Sequence, residues 1–187
     1  AISAVCRECG LPLYVDGARL GYGLMSEAND VTLADLVRLT DMFYIGGTKQ
    51  GMLFGEALVI VNPALRRDFR YILKQKGGML AKGRLLGIQF LGLLEKDLYW
   101  EIGKCADALA DEIRSALVKK QIPCLVENQT NQIFPILEDK QIEKLQKDFS
   151  FSYQERVDDT HSAIRFCTSW ATTKEQVKAL CESILSL

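Results

Sequence analysis

Asp16 follows the apolar run Leu11-Pro12-Leu13-Tyr14-Val15 and opens Asp16-Gly17-Ala18-Arg19. Lys49 follows a second apolar run, in Tyr44-Ile45-Gly46-Gly47-Thr48-Lys49-Gln50-Gly51. Open α/β sheets bind their ligands at the carboxyl ends of strands, where both residues are expected to lie. Each has an ordinary alternative: Asp16 as a helix N-cap, Lys49 as a solvated lysine in a surface turn. The glycines around Lys49 would let backbone approach a ligand closely. An amine among Tyr44, Met52 and Phe54 would be partly desolvated, which makes it a candidate Schiff-base nucleophile. The segment is not a phosphate loop of the Gly-x4-Gly-Lys-Ser/Thr type, because both the glycine spacing and the Lys-Ser/Thr order are missing. Together the two residues suit a pyridine cofactor that carries an aldehyde. A carboxylate keeps the ring nitrogen protonated and the ring an electron sink, and a lysine forms the imine.

The elements that must position this pair are legible as patterns. Residues 1–9 read as the last turns of an amphipathic helix stopped by Gly10, so the chain is expected to be a fragment. Leu11–Val15, Met42–Ile45 and Ala57–Val61 read as buried strands. Between the first two, residues 18–27 can be helical, and Thr32 is placed to cap a helix over 33–39. Pro63 can open the next helix. The alternation through residue 61 predicts a parallel α/β sheet. Residues 64–119 keep helical periodicity, as in Leu109, Ile113 and Leu117. Strand-like runs follow at 123–126 and 132–137, then a short helix over 141–149. A hairpin pairs 153–157 with 163–168, and Thr172 or Thr173 caps a last amphipathic helix. This tail predicts a smaller α+β domain.

Composition narrows the function. The 187 residues are 48% apolar and 25% charged, proportions of a globular protein. Twenty-three basic against 24 acidic residues give a net charge of −1, which offers no electrostatic footprint for nucleic acid or anionic lipid. No apolar run approaches the roughly 18 residues of a membrane span, and no charged-then-apolar leader pattern is expected in the opening residues. The six cysteines, scattered through segments that read as core, predict reduced thiols and a cytoplasmic location. Cys6 and Cys9 have redox spacing but fall on a helix's last turn, and no second pair or histidine completes a metal site. Tyr99, Trp100 and Trp170 are expected to pack, and Glu138-Asp139-Lys140 to be solvated surface.

Four segments carry a resemblance. Residues 13–20 (LYVDGARL), 41–49 (DMFYIGGTK), 74–90 (KQKGGMLAKGRLLGIQF) and 164–170 (IRFCTSW) resemble, in order and spacing, the low-specificity threonine aldolases. That family belongs to the pyridoxal-phosphate enzymes of the aspartate-aminotransferase fold. The resemblance covers the C-terminal portion of the family. It implies that residues 1–75 are the C-terminal part of the cofactor-binding large domain, contributing strands of a mostly parallel sheet. Residues 76–187 would be a long helix and the small α+β C-terminal domain.

The resemblance also implies roles. Lys49 would bond to the aldehyde of pyridoxal 5'-phosphate, with Thr48 beside it, and Asp16 would pair with the ring nitrogen. Arg19 and Arg165 would grip the substrate carboxylate. Arg165 alone could equally be a solvent-facing strand arginine. Lys74 and Lys82 fall where the family has cations near the cofactor phosphate, reaching across a subunit interface of a homodimer or homotetramer. The family's stacking histidine and phosphate-binding Gly-Thr loop lie upstream of Asp-Gly-Ala-Arg. The one histidine here, His161, falls in the predicted hairpin turn. The implied activity is cleavage of a β-hydroxy-α-amino acid, threonine or allo-threonine, to glycine and an aldehyde. The alternatives are β-elimination or transamination on the same fold, or a non-catalytic piece with an incomplete cofactor site.

Overall fold

Helix α1 (Ile2–Glu8) ends where Gly10, at φ +66°, allows a left-handed turn. The Gly10 amide donates to the Arg7 carbonyl and the Leu11 amide to that of Cys6, so two end carbonyls of the helix are satisfied. The computed structural model describes every residue from 1 to 187. It comprises two compact units, residues 1–24 with 29–100 and residues 25–28 with 101–187. The division falls after Trp100, whereas the resemblance implies a boundary after residue 75.

In the first unit the sheet order is β1-β2-β3. Strands β1 (Tyr14–Val15) and β2 (Met42–Gly46) run parallel, with Val15 opposite Phe43. They are joined by helices α2 (Leu20–Met25) and α3 (Leu33–Leu39). The Thr32 side chain accepts from the Asp35 amide and Asp35 returns a bond to the Thr32 amide, the expected cap with a reciprocal partner. Strand β3 (Glu56–Ile60) departs from expectation: it pairs antiparallel with β2. Only the short segment from Gly47 to Gly55 connects the two, and a parallel return needs a crossover of a dozen residues or more. The strands are also less buried than their apolar runs predict. Phe43 and Gly46 are buried in β2, whereas Tyr14 and Leu58 are exposed. A 3-10 turn over Pro63–Arg66, capped by Asn62, leads to α4 (Phe69–Gln75) and α5 (Arg84–Leu94).

The second unit is built on α6 (Leu98–Lys119), whose Leu109, Ala110, Ile113, Ala116 and Leu117 form one buried stripe. Against it packs a sheet centred on β7 (His161–Cys167). Strand β6 (Ser152–Arg156) forms the expected hairpin with β7. On the other side, β4 (Gln132–Ile133) and β5 (Ile136–Glu138) pair with β7 in one continuous register. The strand expected at 123–126 shrinks to a single bridge between Cys124 and Pro135. Pro123 has no amide to return the bond that its carbonyl accepts from the Ile136 amide, so the ladder does not extend there. Helix α7 (Asp139–Leu145) follows β5. Helix α8 (Lys174–Leu185), capped by Thr173, completes the core with Val177, Leu180 and Ile184.

All six cysteines are free thiols, and Cys9, Cys105 and Cys167 are exposed rather than in the core. Tyr99 packs edge-on against Trp100, but Trp170 is exposed, contrary to expectation. His161 opens β7 with its ring against Asp158. No helix is long and apolar enough to cross a membrane.

Candidate active site

Asp16 stands just past the end of β1. Gly17, next to it, is obligatory: a Cβ there would lie 1.6 Å from the Tyr44 carbonyl oxygen. The close approach lets the Gly46 amide donate to the Gly17 carbonyl at 2.9 Å, which ties the two strand ends together. Asp16 caps no helix, since α2 starts at Leu20. Instead its Oδ1 accepts from the Ala18 amide at 3.0 Å and from the Tyr44 hydroxyl at 2.5 Å. Oδ2 is engaged by no group of the protein. The Tyr44 bond first, then the Ala18 bond, hold the Asp16 carboxyl below the usual carboxylate range, and the charges of Lys49 and Arg19 add to this. The same bond, with partial burial and the Asp16 charge, pushes Tyr44 up to about 12. Asp16 is therefore an anion and Tyr44 a proton donor throughout the neutral range.

Lys49 sits in a 3-10 turn, Thr48–Gln50, at the end of β2. Three side chains brace that turn. The Tyr22 hydroxyl donates to the Lys49 carbonyl. The buried Gln50 amide donates to the Tyr99 carbonyl at 3.0 Å, and the Gly47 amide donates to Glu56 at 2.6 Å. Gly51, at φ +102°, releases the chain from the turn. The glycines here serve internal packing, because a Cβ at Gly46 or Gly47 would strike the Ala18 carbonyl or the Met52 sulfur. The expected desolvation of the lysine is not present: Lys49 is exposed, Met52 is buried under Gly47, and Phe54 is itself exposed. The Lys49 amine is in no hydrogen bond or ion pair.

The first unit thus brings Asp16, Arg19 and Lys49 within electrostatic reach of one another. The Arg19 guanidinium has no ion-pair partner, and its buried Nε has no acceptor. Thr48 is exposed, its hydroxyl 3.5 Å from the Gly55 carbonyl oxygen. Lys74, in the last turn of α4, and Lys82, ahead of α5, are exposed and unpaired. Arg165 belongs to the second unit. It is half-buried on β7 between buried Ile164 and Phe166, and reaches Gln132 at 3.4 Å and Ser152 at 3.3 Å. Its Nε is buried without an acceptor. The sequence assigned no role to Tyr22, Gln50 or Glu56, and read Tyr44 only as a neighbour that would desolvate Lys49. The signal for Tyr44 was the parallel register, which puts it beside Asp16 once β1 and β2 are paired.

A free carboxylate oxygen, an unpaired amine and an unpaired guanidinium are the donor set that a protonated pyridine ring with an aldehyde and an amino-acid substrate would require. The surrounding fold is that of the pyridoxal-phosphate enzymes of the aminotransferase type. A serine palmitoyltransferase of Sphingomonas wittichii shares it at a TM-score of 0.68 and 16% identity, covering 99% of this chain and 49% of that one. The chain belongs to the beta-eliminating lyase family, whose model matches residues 1–140. It is similar to the low-specificity L-threonine aldolase of Pseudomonas aeruginosa, with 30% identity over 98% of this chain and 53% of the relative. It is also similar to a structure of Leishmania major threonine aldolase, with 45% identity and a TM-score of 0.95 over 98% of this chain and 54% of that one. The chain spans about half the length of these relatives.

Proposed function

We propose that this chain carries the lysine-bearing part of a pyridoxal-phosphate-dependent lyase that cleaves threonine or allo-threonine to glycine and an aldehyde. The observation that carries this reading is the placement of Asp16 and Lys49 at the carboxyl ends of adjacent parallel strands. When bound, pyridoxal phosphate supplies an aldehyde for imine formation and a ring that accepts the electrons of the broken Cα–Cβ bond. Asp16, kept ionised by Tyr44 and Ala18, accepts the ring N–H through its free oxygen. Lys49 presents an exposed, unpaired amine. Arg19 and Arg165 bind the substrate carboxylate, a planar anion that guanidinium matches with two bonds, and so select which bond at Cα is offered for cleavage. Thr48 contacts the cofactor beside Lys49, and Lys74 and Lys82 serve its phosphate across the interface of a homodimer or homotetramer. Free thiols at all six cysteines suit a reducing, cytoplasmic setting.

The family's description favours one second reading, β-elimination at the same residues. Aldehyde release from threonine and allo-threonine, measured beside keto-acid release from other amino acids, separates the two. Aldehyde formation that Lys49→Ala abolishes supports the aldol reading, and keto acid without aldehyde supports elimination. A chain that pyridoxal phosphate neither colours nor labels at Lys49 under borohydride refutes both and leaves a non-catalytic piece.

A further inference from the structure

Asp16 would be an ordinary surface acid but for its neighbour on β2. The register that pairs Val15 with Phe43 carries Asp16 alongside Tyr44, whose hydroxyl donates to Oδ1 at 2.5 Å. The Ala18 amide donates to the same oxygen at 3.0 Å. Two donors converging on one oxygen restrict rotation of the carboxylate and leave the other oxygen as its available acceptor. Tyr44 is itself restrained. Its backbone pairs with Leu58 of β3, and its ring stacks on Tyr14 with centroids 6.2 Å apart and 28° between planes.

We propose that Tyr44 is a positioning residue for Asp16, occupying one carboxylate oxygen so that the other faces the N–H of a protonated pyridine ring. This rests on the cofactor reading above. A second donor also lowers the affinity of the carboxylate for a proton, so the proton shared with the ring stays on nitrogen. Tyr44 is the one side chain that donates a hydrogen bond to Asp16, and Tyr14 makes none.

Tyr44→Phe removes the hydroxyl and keeps the ring, and Tyr14→Phe is the control. Titration of the Asp16 carboxyl carbon by NMR, on the full chain before cofactor is added, reads the Tyr44–Asp16 link without any activity. The midpoint should rise in Tyr44→Phe and stay in place in Tyr14→Phe. An unmoved midpoint in Tyr44→Phe overturns the proposal. Titration with pyridoxal phosphate then reads the ring contact: Tyr44→Phe should bind several-fold more weakly while borohydride still attaches the cofactor to Lys49. Equal affinity in wild type and Tyr44→Phe likewise overturns it. A wild-type chain that attaches no cofactor to Lys49, yet shows the Asp16 shift, overturns the cofactor reading and leaves the Tyr44–Asp16 link standing.

Discussion

Asp107 offers a test of how α6 is packed. It lies on the same helix as the core stripe, is only 5% exposed, and neither carboxylate oxygen has a hydrogen-bond partner. Burial pushes its carboxyl up to about 7, against Arg114, which pulls it down, and with a smaller upward push from Asp111. A raised carboxyl means that the folded chain holds this proton to higher pH than the unfolded chain does. Below the unfolded value of 3.8 both states are protonated and no penalty exists. Between that value and about 7 the unfolded state ionises first, so stability falls as pH rises, and above about 7 the penalty is complete. Each pH unit in that window is worth about 1.4 kcal/mol, which makes the loss between pH 5 and pH 8 about 3 kcal/mol. Asp107→Asn removes the ionisation but buries an amide that also lacks partners, at a pH-independent cost of about 1–3 kcal/mol. Urea unfolding of both proteins at pH 5, 6, 7 and 8, followed by circular dichroism, should show the variant gaining on the wild type by about 3 kcal/mol across the series. A difference that stays constant with pH would refute the reasoning, because it would mean that Asp107 is ionised and partnered in the folded chain.

Other substitutions test the site and its frame. Lys49→Ala should eliminate borohydride attachment of pyridoxal phosphate while shifting unfolding by no more than about 0.5 kcal/mol, as expected for an exposed side chain. Gly17→Ala should cost at least about 3 kcal/mol in thermal unfolding, since its Cβ would overlap the Tyr44 carbonyl and must push β1 and β2 apart. Thr173→Ala should cost about 1 kcal/mol by denaturant titration, because the Gln176 amide loses its acceptor.

Much of the frame was written locally. Gly10, Thr32, Asn62-Pro63 and Thr173 mark helix boundaries through contacts within a few residues of themselves. The hairpin of β6 and β7 was likewise legible from its alternation and its polar turn. The direction of β3 was not, since apolar character is the same for a parallel and an antiparallel strand and only the length of the connection distinguished them. Nor was the fate of Pro123–Val126, where Pro123 lacks an amide that the ladder needs.

The candidate site divides in the same way. The chain by itself placed Asp16 and Lys49 at strand ends, because the glycines and the polar residues that stop an apolar run are neighbours in sequence. The lysine's surroundings were decided by the folding of its own loop, and the residue that holds the carboxylate by pairing across the sheet. Met52 is the side chain buried against Gly47 while Lys49 stays exposed, and Tyr44 meets Asp16 because β1 and β2 align in parallel register. Asp16 and Tyr44 are far apart along the chain, and their contact depends on a distance that exists only after the strands are side by side.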